Sequence, residues 1–103
     1  MTKFVLSPAA TADIEGIADF LDEHAPRATE RVLHGLRDAM HRIAKNPGIG
    51  RVRKDLADEP LRFLAVWSYF VVYRDSSPVD VVRVLHASRD IVRVLGSRRP
   101  RPR

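Results

Sequence analysis

The sequence predicts an α+β fold with an N-terminal strand, an antiparallel helix hairpin, a three-stranded antiparallel meander and a short C-terminal helix. Residues 61–86 are dominated by β-branched and aromatic residues and are interrupted by a turn cluster at 75–78, which is typical of strands. Residues 8–45 instead repeat their apolar positions every three or four residues, which is typical of amphipathic helices. We therefore expect the helices to cover one face of the sheet.

The first strand and the first helix have a distinct boundary between them. The apolar run 3–6 ends at Ser7, whose hydroxyl can cap a helix, and Pro8 suits the first helical position because it has no N–H to leave unpaired. The helix is expected to run to about residue 23 or 24, where Ala25-Pro26 breaks it.

A second helix is expected from Pro26 to the strong stop signal Asn46-Pro47-Gly48. Because the connection between the two helices is so short, they should pack as an antiparallel hairpin. Residues 48–60 have mixed charge and no periodicity, so we expect an irregular connection, and long connections of this kind are often functional.

The meander is expected to turn at Trp67-Ser68 and at residues 75–78. Strict alternation in its last strand would place Val79, Val81, Arg83 and Leu85 on one face and Asp80, Val82, Val84 and His86 on the other. Both faces are largely apolar, so a partner chain or the chain's own exit helix should cover part of the face that the hairpin leaves open. That exit helix is expected between Ser88, its cap, and Gly96, its terminator.

Composition places the chain among globular proteins, since 103 residues with 45% hydrophobic and 30% charged side chains suit one modest core. The absence of cysteine excludes disulfides and thiolate metal sites. The N-terminal apolar run is too short for a signal peptide, and the strand-rich stretch is too short and polar to span a bilayer. We therefore expect a cytoplasmic protein that does not contact a membrane.

The net charge of +5 is concentrated at the C-terminus, where four of the last six residues are arginines without a neighbouring acid. Residues 1–97 carry 14 basic and 13 acidic side chains and are close to neutral. We expect residues 1–96 to form the single domain and residues 97–103 a basic, flexible tail. Such a tail can bind nucleic acid or an acidic protein surface, or it can serve only as a solubilising extension.

No strong catalytic or metal-binding motif is present, and we expect neither a metal nor a cofactor. His34 and His41 lie seven residues apart, about 10.5 Å along a helix, which is too far for one metal ion. His86 differs because it ends the last strand, where it could act in acid–base chemistry or simply bond the backbone at the strand-to-helix corner.

Several stretches, taken in this order and spacing, resemble the ParE toxins of the RelE/ParE superfamily. Residues 7–17 resemble the first helix of that family, and Asn46-Pro47-Gly48-Ile49-Gly50 is similar to its hPxxG turn, although Asn46 replaces the usual apolar residue. Residues 61–62 and 69–74 resemble the ParE sheet, and residues 82–91 are similar to its RVLH…RD ending. The resemblance covers nearly the whole chain to about Gly96.

This resemblance implies the toxin of a type II toxin–antitoxin module, one that inhibits DNA gyrase without being an enzyme and is held inactive by a ParD-like antitoxin. It also implies a possible homodimer within the toxin–antitoxin complex and no direct sequence-specific binding of DNA. For gyrase binding we assign Arg89, Arg93, Arg98 and Arg99. For the antitoxin, which would bring an amphipathic helix and an added strand, we assign Ile17, Phe20, Leu21, Phe63, Trp67 and Phe70.

Two alternatives stay open. The RelE branch shares the fold but cleaves mRNA on the ribosome, and the side chains that could support such cleavage here are Arg62, Arg83, His86 and Arg89. The chain departs from that branch, because Phe70 stands where many RelE-like sequences have arginine and Val92 stands where a terminal tyrosine is expected. The other alternative is a non-toxic module that only binds the antitoxin.

Overall fold

A computed structural model describes residues 3–96, which form one mixed sheet of five strands, three α-helices and two short 3-10 turns. The strands are β1 (Phe4–Leu6), β2 (Arg51–Val52), β3 (Arg62–Val66), β4 (Tyr69–Arg74) and β5 (Val79–His86). The helices are α1 (Pro8–His24), α2 (Thr29–Lys45) and α3 (Ile91–Val94). The sheet order is β1-β5-β4-β3-β2, with β1 parallel to β5 and the other neighbours antiparallel. The predicted fold class is confirmed, whereas the predicted tail at 97–103 lies outside the described residues.

Ser7 starts α1 as predicted and also attaches the helix to β5. Its hydroxyl oxygen accepts the Ala10 N–H at 3.0 Å and donates to the Val82 carbonyl at 2.7 Å. The Ser7 N–H donates to the Val81 carbonyl at 3.0 Å. The residue that caps α1 therefore extends the hydrogen bonding between β1 and β5 beyond the end of β1. The first turn of α1 is therefore fixed to the outer edge of β5.

The second predicted helix is present, but its first turn is a 3-10 turn (Pro26–Ala28), and α2 begins at Thr29. The Thr29 hydroxyl donates to the Asp22 carboxylate at 2.7 Å, which ties the start of α2 to the end of α1. Asn46 ends α2 as predicted, and Pro47–Ile49 then forms the second 3-10 turn.

Both faces of the sheet are covered. Under the helix hairpin the buried cluster comprises Ala10, Leu36, Ala39, Met40, Ile43, Val66, Val71, Tyr73, Val79, Val81 and Val84. On the opposite face it comprises Ala57, Leu61, Phe63, Val72, Leu85 and Ile91. The exit helix therefore covers the second face through Ile91, which confirms one of the two predicted covers. Residues 56–61 cover it as well, and that role was not recognisable in a segment without periodicity.

Two features of the sheet differ from the prediction. A β-bulge shifts the register of β5, so that Val72 pairs with Arg83 but Tyr73 pairs with Val81, and Val82 is the extra residue. Strict alternation was therefore wrong, since Val84 joins the cluster under the helices and Leu85 faces the other way. The segment 48–60 also contains β2, whose two residues are too few to produce a recognisable alternation.

The turn between α2 and β2 is built around the hydroxyl of Tyr73, a fully buried residue. This hydroxyl donates to the Pro47 carbonyl at 2.7 Å and accepts the Gly50 N–H at 2.8 Å. Burial raises the pKa of the Tyr73 hydroxyl above its ordinary value. A Cβ on Gly50 would lie 2.7 Å from the hydroxyl oxygen, so the hPxxG-like turn requires glycine here for close approach.

Gly50→Ala is expected to lower the free energy of unfolding by about 2–3 kcal/mol, because neither the new methyl group nor the buried tyrosine ring has room to move. Gly48→Ala is the matched control, since a Cβ there would meet only Asn46 Oδ1 at 3.8 Å. Urea unfolding of both variants measures the difference. Equal stabilities of the two variants would contradict the proposed reason for the glycine.

Candidate functional site

A groove of about 560 Å³ lies between α1 and the end of β5, and we call it the α1–β5 groove. One wall is apolar and includes Ile17, Phe20 and Val84. The polar lining residues include His86, the last residue of β5, and Arg89 from the corner that follows. Its full lining is Ala12, Asp13, Gly16, Ile17, Phe20, Tyr69, Val84, His86, Ser88 and Arg89.

His86 is held in one orientation by the corner in which it lies. Its Nδ1 accepts the backbone N–H of Ser88 at 3.1 Å and lies 2.7 Å from the Ser88 hydroxyl, and its ring edge meets Tyr69 at 5.2 Å between centroids. Because Nδ1 accepts, the neutral ring carries its proton on Nε2. The expected backbone contact of His86 is thus present, and Nε2–H remains able to donate a hydrogen bond.

The same corner corrects the predicted cap of the exit helix. The Ser88 hydroxyl contacts the His86 ring and does not cap the helix. The N-cap of α3 is Asp90, whose Oδ1 accepts the Arg93 N–H at 3.3 Å. Arg89 and Arg93 are exposed and form no ion pair within residues 3–96. Of the four predicted gyrase-binding arginines these are the two with a described position, and Arg98 and Arg99 lie outside the described residues.

Arg83 is engaged in an ion pair between β5 and α1. Its Nε and Nη2 donate to the two carboxylate oxygens of Asp13 at 2.7 and 2.8 Å, and the Val84 N–H donates to the same carboxylate at 2.9 Å. The hydrogen bond to Asp13 raises the pKa of Arg83 above its ordinary value. Only 23% of the Arg83 side chain and 11% of the Asp13 side chain are exposed, so this pair connects the helix to the sheet.

Arg62 is also engaged, and it lies at the other end of the sheet. Its Nη1 donates to the Gly50 carbonyl at 2.8 Å, and its Nε lies 3.4 Å from Asp75. Arg62 pairs with Tyr73 while His86 pairs with Tyr69, a separation of four residues or about 13 Å along β4. Of the four predicted nuclease side chains, the fold places only His86 and Arg89 in the α1–β5 groove.

The six residues predicted to bind an antitoxin are distributed over two faces. Ile17 and Phe20 border the α1–β5 groove, and 57% of Phe20 is exposed. Leu21 and Phe63 are buried, so neither side chain is exposed to a partner, and Phe63 belongs to the cluster on the face opposite the helix hairpin. Phe70 packs edge-on to Phe63 on the face opposite the helix hairpin.

The sixth of these residues, Trp67, occupies the two-residue turn between β3 and β4. It is the only non-glycine residue with positive φ (52°) among residues 3–96, at a turn position that usually holds glycine. Its ring lies on Gly35 of α2, where a Cβ would approach to 2.5 Å, and 60% of the residue remains exposed. A bulky residue in this conformation costs roughly 1–2 kcal/mol, so the turn is not optimised for stability alone.

Other kinds of site find no support in the part of the chain that is described. Residues 3–96 contain no group of three or more histidine, aspartate or glutamate side chains placed to hold a metal ion. Within the same range no helix is both long and apolar enough to cross a membrane.

Comparison with known proteins now connects this architecture to a family. The family model for the ParE toxin of the type II toxin–antitoxin system parDE matches residues 4–91. The chain belongs to the ParE toxin family. Toxin ParE1 of Mycobacterium tuberculosis (strain CDC 1551 / Oshkosh) is 37% identical over 97 residues, which cover 91% of this chain and 98% of the relative. Toxin RelE2 of Caulobacter vibrioides is 33% identical over 91 residues, which cover 86% of this chain and 99% of that protein.

The fold has a counterpart among solved structures of the same kind of system. A chain from the chromosomal ParDE toxin–antitoxin system of P. aeruginosa superposes with a TM-score of 0.68 at 16% identity, covering 84% of this chain and 96% of that chain. The chain is thus a ParE-type toxin of the RelE/ParE superfamily, as its sequence predicted. In this ParE toxin the hPxxG-like turn is a structural element, since its last glycine seats the Tyr73 hydroxyl.

Sequence reasoning missed two residues that shape the site of this ParE toxin. Asp13 was not assigned to the site, yet it orients Arg83 and lines the α1–β5 groove. Tyr69 was not assigned to the site either, yet it lines the groove beside His86. The spacing of Asp13 and Arg83, 70 residues, left no local signal for their contact.

Proposed function

We propose that this ParE toxin inhibits DNA gyrase and that a ParD-like antitoxin neutralises it. The observation that carries the non-enzymatic proposal is the engagement of Arg62 and Arg83 in bonds that hold the fold together. Stabilising the charge of a phosphoryl transition state requires several preorganised groups aimed at one point. Two of the four candidate side chains are committed elsewhere, which favours an inhibitor that acts by binding.

The target surface in this proposal is the basic C-terminal region, with Arg89 and Arg93 on the described domain and Arg98 and Arg99 beyond it. A basic region of this kind suits an acidic protein surface or the DNA that gyrase holds. No step of covalent chemistry is assigned to the toxin itself. A cytoplasmic location and a homodimer within the toxin–antitoxin complex remain predictions.

The proposal is tested by incubating the purified chain with gyrase, ATP and plasmid DNA. We expect loss of supercoiling or trapped linear DNA, and restoration of activity when the ParD-like antitoxin is added. A parallel reaction with a type I topoisomerase is the control, because simple coating of the plasmid by a basic protein would inhibit both enzymes. An unaffected gyrase reaction would overturn the proposal.

A ribosome-dependent nuclease is the second candidate, since His86 and Arg89 share the groove and one relative is named Toxin RelE2. If gyrase is unaffected, mRNA cleavage during translation is measured for wild type, His86→Ala and Arg62→Ala. Cleavage that depends on His86 would establish the nuclease. Absence of both activities together with antitoxin binding would leave the non-toxic module.

For the antitoxin we propose a surface on the hairpin side of the molecule that includes Phe20 and Trp67, the two most exposed large apolar residues among those described. Exposed apolar area of this kind marks an interaction site, and a helix bordering a groove suits an amphipathic helix of a partner. Ile17 extends this surface into the α1–β5 groove.

Trp67→Gly is expected to weaken antitoxin binding by roughly 30-fold or more, as for a central aromatic contact residue. The free energy of unfolding should change by less than about 1 kcal/mol, because relief of the positive φ offsets the lost contact with Gly35. Calorimetric titration and urea unfolding measure the two effects. Unchanged antitoxin affinity would exclude Trp67 from the interface. Val92→Gly is the control, because it also replaces an exposed large apolar residue with glycine.

A further inference from the structure

A cavity of about 830 Å³ lies between α2 and the turn that holds Trp67, and we call its lining the α2–Trp67 surface. The lining includes three arginines beside the indole: Arg27, Arg31 and Arg37. None of the three forms an ion pair within residues 3–96. This surface therefore presents unpaired guanidinium groups next to an exposed aromatic ring.

Trp67 is held in place by the helix that it contacts. Its Cζ3 and Cη2 atoms lie so close to Gly35 that a Cβ there would approach them to 2.6 and 2.5 Å, so the ring fits only because position 35 has no side chain. Even so, 60% of the residue is exposed. An aromatic ring that is positioned in this way and open to solvent suits the stacking of unpaired bases, whatever their sequence.

Charge is divided between the two helices of the hairpin. Helix α1 carries five acidic residues and neither lysine nor arginine, whereas residues 27–45 carry five basic residues and two acidic ones. The five basic residues are all exposed: Arg27, Arg31, Arg37, Arg42 and Lys45. Helix α2 is about 25 Å long, which is enough to contact several phosphates of one nucleic-acid strand.

A nucleic acid matches this surface better than an acidic peptide does. Carboxylates would neutralise the arginines but leave the indole without a defined partner, whereas each nucleotide brings a base and a phosphate together. A duplex offers no unpaired base for stacking, so the strand must be single. The carboxylates of α1 repel phosphates, which confines such a strand to the α2 side of the hairpin.

We propose that the α2–Trp67 surface binds single-stranded DNA independently of its sequence, with one base stacked on Trp67 and neighbouring phosphates on Arg27 and Arg31. The choice of DNA rests on the proposed inhibition of gyrase, an enzyme that holds DNA, and the rest of the inference does not. The inference adds a DNA contact on the folded domain, apart from the basic C-terminal region. Because the proposed antitoxin surface also includes Trp67, a bound antitoxin would displace the DNA.

The stacked base is tested by removing the ring and the bases in turn. Trp67→Gly is expected to weaken binding of a fluorescein-labelled oligo(dT) of about 20 nucleotides roughly 10- to 100-fold, measured by anisotropy. On a strand of the same length that lacks bases, the same substitution should change the affinity less than about threefold, because only phosphates are left to bind. The C-terminal arginines are present in both proteins, so their contribution cancels from this comparison.

Phe20→Ala is the control for an exposed aromatic residue, since Phe20 is exposed to a similar degree but lies on the acidic helix α1. Its affinity for oligo(dT) should stay within about threefold of wild type. Urea unfolding of this variant and of Trp67→Gly verifies that both are folded.

The phosphate contacts are tested by salt dependence, which a merely structural effect would not change. For single strands the logarithm of the binding constant falls by about 0.7 per phosphate contact for each tenfold rise in salt, so Arg31→Ala should make this slope shallower by about 0.7. Arg51→Ala is the control. Arg51 is also exposed and unpaired in the described range, but it pairs with Phe63, about 13 Å along β3 from Trp67. Its slope should match that of wild type.

Gly35→Ala separates the position of the ring from its presence. The added methyl group displaces the indole from the helix, so the affinity for oligo(dT) should fall toward that of Trp67→Gly. Combining Gly35→Ala with Trp67→Gly should cause no further loss, because no ring is left to displace.

The outcomes separate this inference from the proposed function. If wild type does not bind oligo(dT), or if Trp67→Gly weakens binding equally with and without bases, the inference is overturned and the gyrase assay still decides the proposed function. If Trp67 is required for binding but gyrase is unaffected, the inference stands and the proposed function falls. Tighter binding of oligo(U) of the same length that depends on Trp67 would overturn the choice of DNA. A wild-type dimer that Trp67→Gly dissociates in sedimentation would assign the surface to a second copy instead.

Discussion

Deleting residues 97–103 is expected to abolish gyrase inhibition and to leave antitoxin binding within about threefold of the full chain. Residues 1–97 are nearly neutral, and four arginines in the last six positions supply most of the net charge of +5. Removing these four positive charges should therefore eliminate most of the electrostatic attraction to an acidic or DNA-bearing target. The proposed antitoxin residues Ile17, Phe20 and Trp67 all lie outside the deleted segment.

The supercoiling assay and calorimetric titration measure these two effects on one preparation. A full-length control replaces the four arginines with serine and keeps the length: Arg98, Arg99, Arg101 and Arg103. If the control behaves like the deletion, charge is the active property of the tail. Inhibition that survives in both proteins would remove the tail from the mechanism and leave Arg89 and Arg93 as the target surface.

Asp13→Ala is expected to lower the free energy of unfolding by about 3 kcal/mol. The substitution leaves the largely buried Arg83 guanidinium without its bidentate partner and the Val84 N–H without an acceptor. Removing one partner of a buried, hydrogen-bonded ion pair costs about 3–5 kcal/mol, and the partial exposure of this pair places it at the lower end. For a domain of this size the melting temperature should fall by roughly 12–20 °C.

Arg53→Ala is the matched control for this second prediction. Arg53 and Asp55 also approach to 2.7 Å in a bidentate geometry, but their side chains are 40% and 63% exposed. Because solvent screens such a pair, its loss should cost less than about 1 kcal/mol. Urea unfolding of both variants gives the comparison. Similar losses of stability would show that burial does not set the strength of the Asp13–Arg83 pair.

Features that depend on neighbouring residues were predictable from the sequence. The Ser7 cap, the stop at Asn46 and the turn at Trp67 are determined within three or four residues, and all three are present. The division of the β5 side chains between the two buried clusters was not predictable. It depends on the extra residue Val82, which reverses the alternation of faces and is defined only by the pairing of β5 with β4.

The candidate site was predictable only in part, for a similar reason. Chain order placed His86 and Arg89 at one corner, and in the structure both residues line the α1–β5 groove. It could not show that Arg62 lies at the opposite end of the sheet, since that follows from the register of β3 and β4. The apolar stripe of α1, by contrast, includes Leu21 and omits Phe20, in agreement with the burial of Leu21 and the exposure of Phe20.

Trp67 is the single tryptophan of the chain, and its position determines what optical spectroscopy can report. Solvent already reaches more than half of this residue in the folded protein, so unfolding changes the surroundings of the indole little. A partner that covers the turn between β3 and β4 would transfer the same ring into a drier environment and shift its emission to shorter wavelength. Intrinsic fluorescence of this toxin therefore follows the formation of complexes more closely than the loss of its fold.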